Sequence, residues 1–183
     1  MIRLGVLALS LALGACVAAH ADDDRVAQGK AAFATVHAVF LHPRCMNCHP
    51  AGDAPLQHDD SRPHAQNITR RSARNGLTCA TCHRSKNGTR PNTPPGAPSW
   101  HLPPPETPMI FEGRTPAQLC AQLKDPAQTG GRDLAATIRH VADDALVGWG
   151  WDPGPGRTPV PIPRATLVAA LERWVAAGAP CPD

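Results

Sequence analysis

The chain has 183 residues, with 18 Lys and Arg against 15 Asp and Glu, so its formal net charge is only +3. A balance this close to neutral gives no sign of a nucleic-acid-binding protein. The chain has 21 Pro, 3 Phe and no Tyr, so it is poor in the residues that build a large apolar core, although it is long enough for one domain.

The beginning of the chain predicts an export signal. A positive charge at Arg3 precedes an apolar run that extends to Ala19 and ends in a small-x-small cleavage site before Asp22. The run is too short, and too soon followed by charge, for a stable membrane span. We therefore expect a signal peptide at residues 1–21 and a mature, periplasmic domain at residues 22–183.

A second interpretation of the same segment is a lipoprotein signal. Residues 13–16 read Leu-Gly-Ala-Cys, so residues 1–15 would be removed and Cys16 would become the lipidated first residue. The mature chain would then be tethered to a membrane, whereas the first interpretation predicts no membrane association. Both interpretations place the mature chain outside the cytoplasm, where pairs of cysteines form disulfides.

The first element expected in the mature chain is a helix over residues 26–41. Four apolar residues fall on or near one face of this helix: Val26, Phe33, Val36 and Phe40. We expect that face to be buried, in the core or against a cofactor. The helix should end at His42-Pro43, because the residue before a proline is disfavoured in the helical conformation.

Two copies of the pattern Cys-x-x-Cys-His dominate the sequence, at residues 45–49 and 79–83. The pattern is the attachment site of a c-type haem, in which two thiols bond to the haem and the histidine binds its iron. The sequence therefore predicts two covalently bound haem groups. Their attachment residues are Cys45, Cys48, His49, Cys79, Cys82 and His83.

Paired cysteines of this kind also occur in zinc ribbons, usually with about 15–20 residues between the pairs. The segment from Cys48 to Cys79 is longer than that. Moreover, a histidine follows both pairs directly, which haem attachment requires and a zinc ribbon does not. A zinc site and a redox-active dithiol are therefore the weaker interpretations.

Residues 50–78 form a polar connector without clear periodicity, and residues 84–108 are mostly proline-rich loop, expected to cover the second haem in an extended conformation. Three arginines precede the second motif: Arg70, Arg71 and Arg74. They indicate a solvated face or, alternatively, a docking patch or partners for haem propionates. Three tryptophans are expected to pack in the haem pockets: Trp100, Trp149 and Trp151.

Each iron also has a far side, where methionine raises the reduction potential and histidine lowers it. Met109 is the first candidate, because residues 108–113 resemble the methionine loop of class I cytochromes c. His64, in the connector, and His140, on a predicted helix, are the next candidates, followed by His101 and His37. The predicted metal ligands are thus His49, His83, Met109, His64 and His140.

Three further helices are expected. Thr115-Pro116-Ala117-Gln118 predicts a capped helix that runs to about Lys124. Residues 132–142 and 164–177 show apolar stripes of helical period, and Gly178 should end the last helix. The segment 149–163 should be irregular. The predicted fold is therefore all-α with extensive Pro-rich loops, with about four helices wrapped around two covalently bound haems.

Two cysteines remain after the signal segment and the two motifs are accounted for, namely Cys120 and Cys181. In an oxidising compartment, such a pair most simply forms a disulfide. Two buried free thiols are the alternative.

Several stretches outside the haem motifs resemble one family of small dihaem cytochromes. They are residues 43–53, residues 94–98, Leu119-Cys120 through residues 124–126, and residues 148–151. The family is labelled as an isoquinoline 1-oxidoreductase subunit. The resemblance implies a cytochrome that works beside a molybdenum hydroxylase, without being the hydroxylase itself.

The sequence thus predicts an electron-transfer protein rather than an enzyme. Its partners would be redox proteins, with a periplasmic dehydrogenase as donor and the respiratory chain as acceptor. No acid, base or nucleophile is required for that role. A dihaem peroxidase and a haem-based sensor are the alternatives, and both need an iron with an open coordination position.

Overall fold

The computed structural model describes residues 5–91 and 93–183, with side chains from residue 21 onward except that of residue 73. Residues 1–4 and the side chain of Cys16 lie outside the described part, and with them the predicted signal processing and lipidation. In the part of the chain that is described, no helix combines the length and the apolar character needed to cross a membrane.

The protein is mostly helical and has little strand. The described residues form six α-helices: α1 (Gly5–Phe40), α2 (Pro43–Met46), α3 (Pro116–Leu123), α4 (Leu134–Asp143), α5 (Ala145–Gly148) and α6 (Arg164–Ala176). Two short strands, β1 (Leu56–Gln57) and β2 (Arg62–Pro63), pair antiparallel with Leu56 opposite Pro63. Single 3₁₀ turns lie at Ser72–Asn75, Cys79–Thr81 and Trp149–Trp151.

The four predicted helices are present as α1, α3, α4 and α6. The helix predicted from residue 26 begins earlier, and α4 begins at Leu134 because Asp133 accepts a hydrogen bond from the Ala136 amide and caps it. The four-residue helices α2 and α5 and the strand pair were not predicted, because segments this short carry no readable periodicity.

Two helix ends follow from local side-chain chemistry. The Thr115 hydroxyl accepts from the Gln118 amide at 3.2 Å, and the Gln118 side chain accepts from the Thr115 amide at 3.0 Å, which completes the predicted capping box. At the other end of the fold, Gly178 has φ +87°, and the Ala179 amide donates to the Trp174 carbonyl. This left-handed residue ends α6 and turns the tail back along the helix.

The core lies where α1 packs against α6, with α3 and α4 beside them. Phe33 and Trp174 are fully buried there, with ring centres 4.9 Å apart. Val36 and Phe40 are also buried, but Val26 is 37% exposed, so the prediction for Val26 was wrong. The C-terminal tail covers α1 only from Gly29, one turn after Val26. A β-carbon on Gly29 would lie 2.6 Å from Pro180.

The predicted disulfide between Cys120 and Cys181 is present and joins α3 to the C-terminal tail. The tail is also fixed by the Trp174 indole, which donates to the Pro180 carbonyl, and by Lys124, which donates to the Ala179 carbonyl. The two ends of the fold that flank residues 50–110 are therefore bound into one helical core. That intervening segment has no α-helix among its described residues.

Candidate haem-binding sites

The first motif is held by the short helix α2. The His42 ring caps this helix by accepting from the Arg44 amide at 3.2 Å, and Pro43 occupies its first position. His42-Pro43 therefore ends α1, as predicted, and also starts the helix that carries Cys45. The motif then continues as a turn, in which the His49 amide donates to the Met46 carbonyl.

Cys45, Cys48 and His49 line one open cavity, whose empty space, including its solvent-facing mouth, measures about 1080 Å³. Much of its wall is apolar: Phe40, Phe111, Val141, Leu146, Val147 and Trp149. Two further imidazoles, those of His101 and His140, also line it. The motif thus faces an apolar space with nitrogen donors in its wall.

His49 is fixed in position by the segment that leads into α3. Its Nδ1 donates to the Met109 carbonyl at 2.7 Å, and its ring stacks on Phe111 with centres 4.0 Å apart. Phe111 in turn stacks on Phe40 at 4.6 Å. Burial lowers the pKa of His49 to about 4, against the opposing effect of the Met109 hydrogen bond. The ring is therefore neutral at pH 7, with Nε2 free to bind a metal.

The thiols of the first motif are free and protonated at neutral pH. Burial raises the pKa of Cys45 to about 12 and that of Cys48 to about 11. A redox-active dithiol needs a nucleophile with a lowered pKa, so these values do not fit that interpretation. The electrostatic effect of Cys79 also raises the pKa of Cys48, which indicates that the two motifs lie close together.

Arg44 lies in the wall of the same cavity and is a buried cation, with only 5% of the residue exposed. One guanidinium nitrogen binds the Asp59 carboxylate at 2.5 Å, and the group lies over the Trp149 ring at 5.5 Å. Its Nε is buried and has no hydrogen-bond partner in the protein. A buried donor left without a partner is costly, and an acidic group bound in the cavity would satisfy it.

The second motif has a different setting. Cys79 begins a 3₁₀ turn, Cys82 is exposed, and His83 is half-buried. His83 Nδ1 donates to the Pro95 carbonyl at 2.8 Å, and its ring stacks on Trp100 with centres 4.6 Å apart and planes inclined by 3°. Burial lowers the pKa of His83. His83 therefore repeats the arrangement of His49, with Nδ1 on a main-chain carbonyl and Nε2 free.

His64 lies beside His83, with ring centres 6.2 Å apart and planes inclined by 53°. Two imidazoles that bind one metal ion from opposite sides, with metal–nitrogen distances of about 2.0–2.1 Å, have ring centres about 6 Å apart. The predicted ligand His64 is therefore at the spacing that a shared metal ion requires.

The other predicted ligands lie elsewhere. His140 lines the first cavity, and its Nδ1 lies 3.2 Å from the Asp144 carboxylate, which leaves Nε2 free. Met109 also lines this cavity, but its carbonyl contacts the back of His49, which does not favour Met109 as the ligand on the opposite side of the same iron. His37 bonds to the Arg114 carbonyl and does not line the cavity.

A chain of aromatic contacts links the two sites. Trp100, stacked on His83, meets Trp149 edge-on with ring centres 5.0 Å apart, and Trp149 lines the first cavity. The Trp149 indole donates to Asn87 at 2.9 Å. Trp151 instead donates to the Ile162 carbonyl and packs on the helical core, away from the cavity lining.

Sequence reasoning missed three polar residues of these sites, namely Arg44, Asn87 and Asp144. The four-residue spacing of His140 and Asp144 on a helical segment could have indicated their pairing. Asn87 lies in a loop and carries no comparable signal. The three arginines before the second motif differ in exposure. Arg71 and Arg74 are exposed, whereas Arg70 is buried and its guanidinium donates to the Pro50 and Gly52 carbonyls.

The donor groups of both motifs fit covalent haem. Each supplies two free thiols and one imidazole whose Nδ1 is engaged and whose Nε2 is available, and the first cavity adds an unsatisfied buried arginine. Among the residues that the structure describes, no group of three or more His, Cys, Asp or Glu is arranged to hold a metal ion by itself. Comparisons with protein families, curated proteins and solved structures find no match for this chain.

Proposed function

We propose that this chain is an exported electron-transfer protein that carries two covalently attached c-type haems. Cys45 and Cys48 would attach the first haem and Cys79 and Cys82 the second. The haems would supply reversible one-electron oxidation and reduction of iron, and the protein would tune it through ligands and burial.

The observation that carries this proposal is the repeated geometry of the two motif histidines. In each motif, Nδ1 is bound to a main-chain carbonyl at 2.7 or 2.8 Å, and an aromatic ring stacks on the imidazole. Outer hydrogen bonds of this kind fix the tautomer and orientation of a metal-binding histidine. A histidine with only a structural role has no need for this arrangement beside two free thiols.

The positions of the remaining imidazoles support a choice of second ligand for each iron. We propose His83 and His64 for the second iron, because their ring centres lie 6.2 Å apart. For the first iron we propose His49 and His140, because both line the same cavity and Asp144 leaves Nε2 of His140 free. Met109 remains the predicted alternative for the first iron.

A dehydrogenase as electron donor and the respiratory chain as acceptor are the partners proposed, in line with the resemblance to cytochrome subunits of molybdenum hydroxylases. Electron transfer of this kind requires no acid, base or nucleophile from the described residues. The protein would hold two irons close together and surround the first of them with a largely apolar wall.

The test is a pyridine haemochrome spectrum of protein exported together with the haem-attachment machinery, with haem counted per chain. We expect two thioether-bound haems in the natural chain. We expect one in the variant Cys45→Ala/Cys48→Ala and one in Cys79→Ala/Cys82→Ala, which serve as controls for each other. A colourless protein that contains zinc would contradict the proposal.

A dihaem peroxidase or a haem-based sensor is the second candidate, and the cavity at the first motif is the observation that favours it. The cavity has a solvent-facing mouth, through which a small molecule would reach the first iron once haem is bound. Addition of carbon monoxide to the reduced protein tests this directly. An unchanged spectrum supports two-ligand irons, whereas a shift that is lost in Cys45→Ala/Cys48→Ala would place the open site at the first iron.

A further inference from the structure

The segment around the second motif has an unusual charge distribution. Residues 61–105 contain seven Arg and Lys residues and no Asp or Glu, although the whole chain has a formal net charge of only +3. The rest of the chain therefore carries an excess of acidic residues. The positive charge of the molecule is concentrated on the part that holds Cys79, Cys82 and His83.

Three of the seven cations are already engaged. Arg62 pairs with Asp60 at 3.2 Å, Arg74 pairs with Glu106 at 2.6 Å, and Arg70 is buried against main-chain carbonyls. The other four are exposed and form no ion pair with described residues: Arg71, Arg84, Lys86 and Arg90. Arg71 lies before residues 79–83 in the sequence and the other three lie after them, and the four exposed positions together are called the basic surface below.

The part of the basic surface next to His83 is fixed by the backbone. A β-carbon on Gly96 would lie 2.6 Å from the Arg84 carbonyl and closer still to the Lys86 carbonyl, so the two loops are in direct contact. Asn87 accepts from the Gly96 amide at 3.1 Å and donates to the Asp152 carbonyl at 2.8 Å. Arg84 and Lys86 therefore project from a loop that is anchored on both sides.

The second motif is also the more accessible of the two. Ala80, Thr81 and Cys82 are exposed, whereas the cysteines of the first motif line an apolar cavity. Electron exchange with another protein requires close approach, so it would take place at the exposed motif. Opposite charge on the approaching surface would speed the encounter and orient it.

We propose that the basic surface beside the second motif is the docking site for a redox protein that presents an acidic face. This inference rests on the proposed electron-transfer function and assigns one of its two sites to partner contact. The first motif would then exchange electrons through the second, across the contact between Trp100 and Trp149.

The experiment reverses two charges of the basic surface, in the variant Arg84→Glu/Lys86→Glu. The matched control is Arg25→Glu/Arg173→Glu, which changes the net charge equally at two exposed positions on the helical core. The oxidised protein, loaded with haem, is mixed at low ionic strength with the anionic complex of iron(II) and EDTA. One electron passes from the iron of the reagent to the protein, and the rate is followed by absorbance.

We expect the rate for the natural chain to fall as salt is added, and the surface variant to be slower by about tenfold. The control variant should stay within about twofold of the natural chain. With the cationic reductant hexaammineruthenium(II), the surface variant should instead be faster. Polyglutamate, added as a large acidic competitor, should slow the natural chain and not the surface variant.

Haem content and midpoint potentials of both variants are measured first. A protein without haem would overturn the proposed function itself. With two haems present, equal rates for the surface and control variants would overturn the docking site alone. The measured midpoint potentials are used to correct each rate for its driving force, since a reversal of charge near a haem changes its potential.

Discussion

The same five-residue pattern occupies two contrasting environments in this protein. The first copy begins on α2 and borders the helical core that α1 and α6 form, and its His49 stacks on Phe111, which in turn stacks on Phe40. The second copy lies on a single 3₁₀ turn, in a segment without α-helices among its described residues, and Cys82 is exposed.

The comparison separates two properties that a motif alone does not distinguish. Both copies fix their histidine through Nδ1 to a main-chain carbonyl, so the capacity to bind a metal is similar in the two regions. Exposure and charge differ, and these properties govern the reduction potential and access by partners. The motif thus predicts the chemistry, and the surrounding fold predicts how each site is used.

The largest expected difference is in the dependence of the fold on each motif. The variant Cys45→Ala/Cys48→Ala should melt about 10 °C below the natural chain, because an apolar group is lost from a cavity that borders the core. The melting temperature of Cys79→Ala/Cys82→Ala should fall by about half as much. Thermal unfolding followed by circular dichroism measures both. Equal losses would mean that the two regions unfold as one unit, and the comparison would fail.

The aromatic partners of the two histidines should differ in the same direction. Phe111 is 4% exposed and packs in the core, so Phe111→Ala should cost about 3–5 kcal/mol of unfolding free energy. Trp100 is only half-buried, and Trp100→Ala should cost about 1 kcal/mol. Denaturant titration measures both values. A loss at Trp100 as large as that at Phe111 would place the second region inside the cooperative core.

The second site should depend instead on close backbone contact. Gly96→Ala would force a β-carbon against the Arg84 and Lys86 carbonyls, so we expect the loop to shift and His83 to lose its Pro95 partner. With haem bound as proposed, the absorption spectrum and midpoint potential of the second site should change. Gly52→Ala is the control, since its β-carbon would meet nothing within 4 Å. An unaltered spectrum in Gly96→Ala would contradict this account.

The smallest effect concerns pH. Burial raises the pKa of Asp59, but hydrogen bonds from Thr158 and the charge of Arg44 outweigh it and lower the pKa below its usual value. The ionised Asp59 carboxylate therefore stabilises the folded state above about pH 4, the pKa of an unfolded aspartate. This stabilisation is lost as the pH falls through the lower pKa of Asp59 in the folded protein.

Asp59→Asn should lower the stability slightly at pH 7 and flatten its decrease below about pH 4. Asp60→Asn is a suitable control, because the ion pair of Asp60 is with Arg62, an exposed arginine. Stability is measured by urea titration across this range. Identical pH profiles for the natural chain and Asp59→Asn would show that the Arg44–Asp59 pair adds nothing to the first region.

The helical region could be predicted well from the sequence, and the loop region could not. Periodicity and capping residues located α3, α4 and α6, and the Cys120–Cys181 pair followed by elimination. The exposure of Val26 was missed because it depends on where the tail stops covering α1, which is a tertiary contact.

The partners of the motif histidines were unpredictable for a different reason. His49 and His83 are held by the carbonyls of Met109 and Pro95, and every residue has a carbonyl, so side-chain identity carries no signal. The buried role of Arg70 was missed for the same reason, since its acceptors are also main-chain oxygens. Only the proposed attachment residues could be named directly from the sequence, because haem attachment is recognised by the spacing of the Cys-x-x-Cys-His pattern.

The disulfide has a consequence for how the protein matures. Six cysteines follow the predicted signal segment, so 15 different first disulfides are possible, and only the one that joins Cys120 to Cys181 leaves all four motif thiols reduced. Cys120 is fully buried on α3, and the turn after α6 brings Cys181 to it. Folding of the helices therefore directs oxidation to the Cys120–Cys181 pair in the core and leaves the other four thiols free for the proposed haems.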